Sequence, residues 1–266
     1  SGRIVRNKAG EILRLELHAW ATDVSLESLQ GRTELRHIHL ANTQITDGGL
    51  VHLKEMTKLE ALLLDNTQIN GSGLVHLTGM TNLRELTLYE TQITDAGLVH
   101  LKGLTNLETL SLDNTNITDA GLLHLKDLTN LERLNLNGCE DITDAGLMHL
   151  KGLSNLQDLD LRDTRVSGTG LVHFEGMTQM RLFLGEGITD AELVHLKGLY
   201  RPPTLSLEGT QITAAGLVHL KGMDLRMLAI PREAQTDLGL KHYLAAVEPP
   251  ATLRLNDWNI TDAGLV

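Results

Sequence analysis

Histidine is the residue type whose spacing first suggests chemistry. Nine of the twelve histidines fall at one recurring place: His52, His76, His100, His124, His149, His173, His195, His219 and His242. Such a ladder invites metal binding or proton sensing. Geometry argues against a metal. Each of these histidines stands alone on its segment, and neighbouring helices pack roughly 8–10 Å apart, whereas zinc holds its ligand nitrogens at about 2 Å. The ladder therefore reads as a structural feature of an outer helix face, and its protonation is expected to loosen the protein below about pH 6. A tighter constellation is Glu16 and His18 with His37 and His39, two histidines of one strand beside a carboxylate on the next, which could hold zinc or another transition metal. Three exposed polar side chains at one end of a sheet are equally ordinary, so no metal or other cofactor is expected.

The remaining reactive groups have structural readings. Cys139 is the only cysteine and sits where other units carry threonine, which suits a packed thiol better than a nucleophile. Asp47, Asp95, Asp119, Asp144, Asp190, Asp237 and Asp262 stand at the N-termini of expected helices, and lysines such as Lys102 and Lys126 near their C-termini; both placements complement a helix dipole. Glycines such as Gly97, Gly121, Gly146 and Gly216 lie inside those helices at a cost of about 1 kcal/mol each, which close approach of a neighbouring unit would offset. No glycine pattern forms a phosphate loop, and no acid, base and nucleophile converge, so an enzyme is not expected.

These residues recur because the elements carrying them recur. Of 266 residues, 55 are leucine and only 7 are aromatic, with 41% hydrophobic and 21% charged. That excludes disorder, a disulfide scaffold and a membrane-spanning helix, and a net charge of −11 disfavours nucleic acid as a partner. The second leucine of an L-x-L pair recurs at Leu17, Leu40, Leu64, Leu88, Leu112, Leu136, Leu161, Leu184 and Leu207, and Ile230 and Leu255 continue the series to eleven units. Within each unit the period changes. Leu110-Ser-Leu112 alternates as a short strand with one buried face; Thr118 then reads as an N-cap with Asp119 in the first turn; Leu122 and Leu125 follow at helical spacing. A helix of about eight residues is stable only when stacked on neighbours. Stacking predicts an α/β solenoid: a parallel sheet on the concave face, short helices on the convex face, and an arc roughly 50 Å long.

The pattern L-x-x-L-x-L-x-x-T-x-I-T-D-A-G-L-x-x-L resembles the leucine-rich repeat superfamily over nearly the whole chain, in the T-D-A-G-L form common in bacterial proteins. It is similar to ribonuclease-inhibitor-like repeats and, at Asn137-Gly-Cys-Glu-Asp-Ile-Thr-Asp-Ala-Gly-Leu147, to the cysteine-containing repeats of F-box proteins. The resemblance implies a horseshoe that binds another protein. One domain is expected over 1–266: a hairpin cap and first strand in 1–17, stacked repeats in 18–254 and an incomplete last repeat in 255–266. Asn7 to Gly10 should turn the hairpin, and Trp20 and Trp258, in the threonine slot of the end units, read as hydrophobes covering the ends. Ser1-Gly2 reads as a cloning scar, and the partial last unit suggests a piece of a larger protein.

Specificity in a repeat protein belongs to the positions that vary inside the frame. On the strands these point to the concave face. The partner-binding residues expected there are Glu85, Tyr89, Asp113, Arg133, Asn137, Asp158, Asp160, Arg162, Arg181, Phe183 and Glu208, a mixed-sign surface with two aromatics. The function expected is a monomeric protein-interaction module, with no nucleic acid and no membrane insertion. The alternatives are a substrate-recognition arm of a larger adaptor or effector, or a structural or cell-envelope repeat protein. The single cysteine slightly favours the cytoplasm over secretion.

Overall fold

A computed structural model describes residues 3–6, 8–177, 180–198, 204–223, 225–247 and 258–261. Asn7, the Tyr200-Arg-Pro-Pro203 segment, the expected eleventh repeat strand around Leu255 and Asp262 lie outside the described residues. The strands are β1 (Arg3–Arg6), β2 (Ile12–Glu16), β3 (His37–His39), β4 (Ala61–Leu63), β5 (Glu85–Thr87), β6 (Thr109–Ser111), β7 (Arg133–Asn135), β8 (Asp158–Leu161), β9 (Arg181–Leu184), β10 (Thr204–Ser206) and β11 (Met227–Ala229). They form one open sheet in sequence order. β1 pairs antiparallel with β2 as the expected hairpin, and from β2 onward every pairing is parallel with equivalent positions in register.

The strands are short because only the L-x-L core of each unit alternates. Leu110 and Leu112 are fully buried, while Thr109 and Ser111, which alternate with them, are half-buried on the other face. The chain then turns through a left-handed residue two positions past the second leucine. Asn42, Asn66, Asn114 and Asp163 take φ of 51–59°, in agreement with the preference of Asn and Asp for that region, and Glu90 takes φ 53° in the same slot. A buried threonine follows. The hydroxyls of Thr43, Thr67, Thr91, Thr164 and Thr210 each donate to the carbonyl three residues earlier at 2.6–2.7 Å. The returning loops add a second ladder, in which the amides of Asn82, Asn106, Asn130 and Asn155 donate to the carbonyls of Thr57, Thr81, Thr105 and Thr129 in the preceding unit.

The helical layer is tighter than the sequence suggests. In three units a four-residue α-helix, such as Asp119–Leu122, passes directly into a 3-10 turn, Leu123–Leu125. The end units carry plain α-helices, Asp23–Glu27 and the longer Asp237–Ala246, and in other units the segment is 3-10 throughout, as at Asp47–Leu53 and Ser72–Leu77. A 3-10 turn rises further per residue, so the short segment that carries both inward leucines spans more of the unit. Leu122 and Leu125 are fully buried beneath it, and one continuous apolar cluster runs from Ile12 to Val247. Truncating such a leucine to alanine costs about 2–5 kcal/mol.

The aspartates do more than complement a dipole. Thr118 caps its helix by accepting from the Ala120 N–H at 3.2 Å, as the sequence suggests. Asp119 reaches the next unit instead: its carboxylate accepts from the Thr143 N–H at 2.8 Å and from the Thr143 hydroxyl at 2.6 Å. Asp23 clamps Thr46, Asp95 clamps Thr118, Asp190 clamps Thr213 and Asp237 clamps Thr261 in the same way. This arrangement also accounts for the glycines. A Cβ on Gly121, Gly146 or Gly216 would lie within 3.0 Å of the clamping carboxylate of the unit before. The close approach inferred from the sequence is therefore carboxylate to backbone, and it leaves room for no side chain there.

Candidate functional site

Parallel register places one residue of each unit in each row of the concave face. The first row runs Arg14, His37, Ala61, Glu85, Thr109, Arg133, Asp158, Arg181; the second runs Glu16, His39, Leu63, Thr87, Ser111, Asn135, Asp160, Phe183. Of the expected site residues, Glu85, Arg133, Asp158, Asp160, Arg181 and Phe183 stand on strands. Tyr89, Asp113, Asn137, Arg162 and Glu208 lie one or two positions beyond the strand ends, along one rim.

Several of these residues are partners of one another. Arg181 forms an ion pair with Asp158 on the neighbouring strand, and the Asp158 side chain is only 17% exposed. Arg162 holds Asp160 through Nε at 2.9 Å and Nη2 at 2.5 Å, leaving the Asp160 side chain 13% exposed. The same guanidinium lies over the Phe183 ring, 5.5 Å from its centre. Asp160 raises the already high pKa of Arg162, so the cation is permanent. Asp158, Asp160, Arg162, Arg181 and Phe183 thus form one connected patch. Arg133 donates to the Thr109 hydroxyl at 3.1 Å.

The rim is more acidic than the strands. Asp65, Glu90, Asp113, Asp163 and Glu208 follow one another there, with Arg162 among them. Partial burial lifts the Asp113 carboxyl above its ordinary 3.8 despite a hydrogen bond from Ser111, and the charges of Asp65 and Asp160 push the same way. Tyr89 donates to Glu90 at 2.6 Å, which raises its phenol pKa together with slight desolvation and the Glu90 charge. Asn137 is half-buried, and its Oδ1 is one of two buried side-chain polar atoms without a partner among the described residues; the other is His124 Nδ1.

Two features were not picked out by reading strands alone. Asp65 accepts from the Thr87 hydroxyl at 2.6 Å and from the Tyr89 N–H at 2.9 Å, so it positions Tyr89. At the other end of the strands, Arg36 pairs with Glu60 and Arg84 with Glu108, residues spaced 24 apart in sequence. Beside them the small Ala61 leaves a shallow cavity of about 400 Å³, lined by His37, Glu60, Ala61, Arg84, Glu85, Glu108, Thr109 and Arg133. The alternation of Arg and Glu at a fixed offset was the available signal.

The possible metal cluster does not assemble. Glu16 meets His39 at 3.7 Å, but no three His, Cys, Asp or Glu side chains converge among the described residues. His18 instead turns its ring toward Trp20, 6.4 Å away. Trp20 itself is 69% exposed and buries little of the end it was expected to cover. The threonine slot packs against the preceding unit, and the first unit has none. Trp258, with units before it, is half-buried edge-on to Tyr243 at 5.4 Å. Cys139 is fully buried; its thiol donates to the Leu112 carbonyl at 3.1 Å, and burial pushes its pKa up.

An open sheet of mostly parallel strands, one per 23–25 residues, backed by short helices defines a leucine-rich repeat solenoid. The chain is a leucine-rich repeat protein: family models for leucine-rich repeats match residues 33–53, 81–124 and 105–147. No curated protein matches the sequence. Among solved structures it is similar to internalin C2 of Listeria monocytogenes, at 26% identity over 83% of this chain and 80% of that one, TM-score 0.55. Internalin F of the same organism is 19% identical over 86% of this chain and 77% of its own, TM-score 0.53. The plant peptide hormone receptor RGFR1, solved in complex with RGF2, is 16% identical over 86% of this chain and 36% of its own, TM-score 0.54. Among the described residues, no helix is long and apolar enough to cross a membrane.

Proposed function

We propose that this chain is a non-enzymatic protein-interaction module that engages its partner on the concave face, across strands β5 to β9 and the adjoining rim. The observation that carries the reading is the connected patch of Asp158, Asp160, Arg162, Arg181 and Phe183, with Tyr89 held out by Asp65 on the same face. These side chains lie outside the apolar core cluster. An aromatic ring under an arginine, rimmed by polar groups, is the composition that dominates protein-protein interfaces. Pairing within the patch also pre-organises it, which lowers the entropy lost on docking. The likeness to internalins and to a receptor solved with its peptide hormone supports the same reading by analogy.

The test is capture of partners from a lysate of the source organism on the immobilised chain, followed by mass spectrometry. Replacing Tyr89, Arg162 and Phe183 together with alanine should abolish capture of the specific partner while circular dichroism stays unchanged. Undiminished capture by the folded triple variant overturns the concave assignment.

A further inference from the structure

The carboxylate clamps do not run the whole length of the stack. The position that holds Asp23, Asp47, Asp95, Asp119, Asp144, Asp190 and Asp237 is occupied by Gly71, Gly168 and Ala214 in three units. Where Asp is present, its carboxylate crosses to the backbone or hydroxyl of the next unit. Asp144, for example, accepts from the N–H groups of Ser167, Gly168 and Gly170 and from the Ser167 hydroxyl. At two of the three gaps the next unit supplies its own acceptor. The Thr189 N–H and hydroxyl both donate to Glu192 of their own unit, and the Thr236 N–H donates to the Ala234 carbonyl of its own unit. At the third gap Gly71 approaches Gly97 backbone to backbone.

The gap after Gly168 differs from the others on the opposite face. Directly across it, β8 and β9 share four register pairs, against three or fewer at the other parallel junctions of described strands. Arg181 bonds Asp158 and Arg162 covers Phe183 over the same junction. The concave side is therefore tied, and the helix side lacks its carboxylate clamp.

We infer that the junction between Gly168 and Thr189 is a hinge. The four clamped units before it, from Thr94 to Gly168, move as a rigid platform. The units after it tilt by parting from that platform on the convex side, with the β8–β9 pairing as the pivot. Tilting changes the curvature of the concave face at the Arg162–Phe183 patch. If that patch is the docking site, as proposed above, partner binding and hinge angle are coupled. The hinge itself does not depend on that reading.

Hydrogen exchange of the purified chain, without any partner, tests it. The Thr143 amide and the helix after it should exchange on the order of tenfold more slowly than the Thr189 amide and the helix that follows. A repaired variant, Ser167→Thr with Gly168→Asp, Thr169→Ala and Glu192→Gly, recreates T-D-A-G-L, replaces the left-handed Gly168 turn (φ 108°) with the helix start seen at Thr143, frees Thr189 to receive the new carboxylate and supplies the glycine that such a carboxylate requires opposite it. It should slow exchange from Thr189 onward to the rate seen after Thr143. The converse variant Asp119→Ala, which removes both acceptors and needs no rebuilding, should raise exchange after Thr143 toward the rate at Thr189. Equal protection on the two sides in the parent chain overturns the hinge, as does a folded repaired variant or an Asp119→Ala variant that leaves local exchange unaltered. Because no partner is present, these outcomes are independent of whether the concave face binds one.

Discussion

Removing a single clamp and its glycine together gives the most discriminating test of how the stack is held. In Asp119→Ala, Thr143 loses two acceptors, one for its N–H and one for its hydroxyl. Hydrogen bonds to charged groups contribute about 1.5–3 kcal/mol each, and this site is only partly buried, so about 2–4 kcal/mol in total is expected. For a chain of this size that corresponds to a fall in Tm of roughly 5–10 °C if unfolding is cooperative. Gly146→Ala alone should also destabilise, by about 1–3 kcal/mol, because its Cβ would lie within 3.0 Å of the Asp119 carboxylate. On the Asp119→Ala background the same change has only the flexible end of Leu122, 3.0 Å away, to displace. It then recovers part of the roughly 1 kcal/mol of helix propensity that glycine forfeits. The sign of the glycine substitution should reverse. Urea denaturation of the four proteins, followed by fluorescence and circular dichroism, measures the coupling, expected at about 2 kcal/mol. Additive effects within about 0.5 kcal/mol, or an Asp119→Ala cost below about 1 kcal/mol, refute the clamp as the reason for the glycine.

Other expectations concern pH and individual side chains. Burial works against the Asp144 charge, but the Ser167 hydroxyl and the N–H groups of Gly170, Ser167 and Gly168 outweigh it and hold the carboxyl below its ordinary 3.8. A depressed folded pKa means the stability is complete above the unfolded value and is lost as pH falls through the folded one. Tm should therefore drop below about pH 4, and less steeply in Asp144→Asn; an identical acid limb in that variant rejects the assignment. Burial, with Lys102 nearby, lowers the pKa of His124 from its ordinary 6.5, so the folded state resists protonation and loses stability as pH falls through 6.5. A Tm profile of His124→Gln lacking that decline confirms it, and one that keeps it assigns the decline to other histidines. Cys139→Thr should cost no more than about 1 kcal/mol, since threonine fills that slot in other units, and the native thiol should resist a thiol reagent until the protein unfolds. Trp20→Ala should shift stability by less than about 0.5 kcal/mol, whereas Trp258→Ala should cost more; equal losses in thermal scans contradict the different packing of the two ends.

What the sequence made legible depends on how far apart the interacting residues lie. The L-x-L strands and the inward leucines are set by burial within a few residues, so their period and face could be read directly, and the parallel register follows from a repeat of nearly constant length. The pattern also placed Thr118 correctly as a cap, because its acceptor and donor are two residues apart. The Asp119 clamp spans 24 residues, and a residue that suits a helix start offers no local sign that its carboxylate serves the next unit. The same distance hid the pairing of Arg181 with Asp158, which made the concave face look like a set of independent charges when it is in part a self-satisfied network. Trp20 was misjudged for a related reason: a slot that is buried from Thr43 to Thr164 is buried by the unit before it, and the first unit has no such neighbour.

The gaps in the clamp ladder change how the irregular units are understood. Gly71, Gly168 and Ala214 resemble neutral drift when each unit is compared only with the consensus. Set against their neighbours, they coincide with compensations on the receiving side: Glu192 for Thr189, the Ala234 carbonyl for Thr236, and a glycine pair at Gly71 and Gly97. A lost carboxylate would otherwise strand a partly buried N–H and hydroxyl, at a cost of about 1–3 kcal/mol per group. The units at Thr189 and Thr236 instead supply an acceptor of their own, and at Gly71 the space is closed by backbone, so none of these three junctions has the carboxylate bond of its neighbours. Stability in a solenoid is the sum of unit terms and nearest-neighbour terms, so moving an acceptor from the neighbour to the unit itself preserves the first while weakening the second. The result is a stack whose units remain individually well formed but whose coupling is interrupted at chosen junctions. The concave patch that spans one of those junctions is where a change in curvature would be felt.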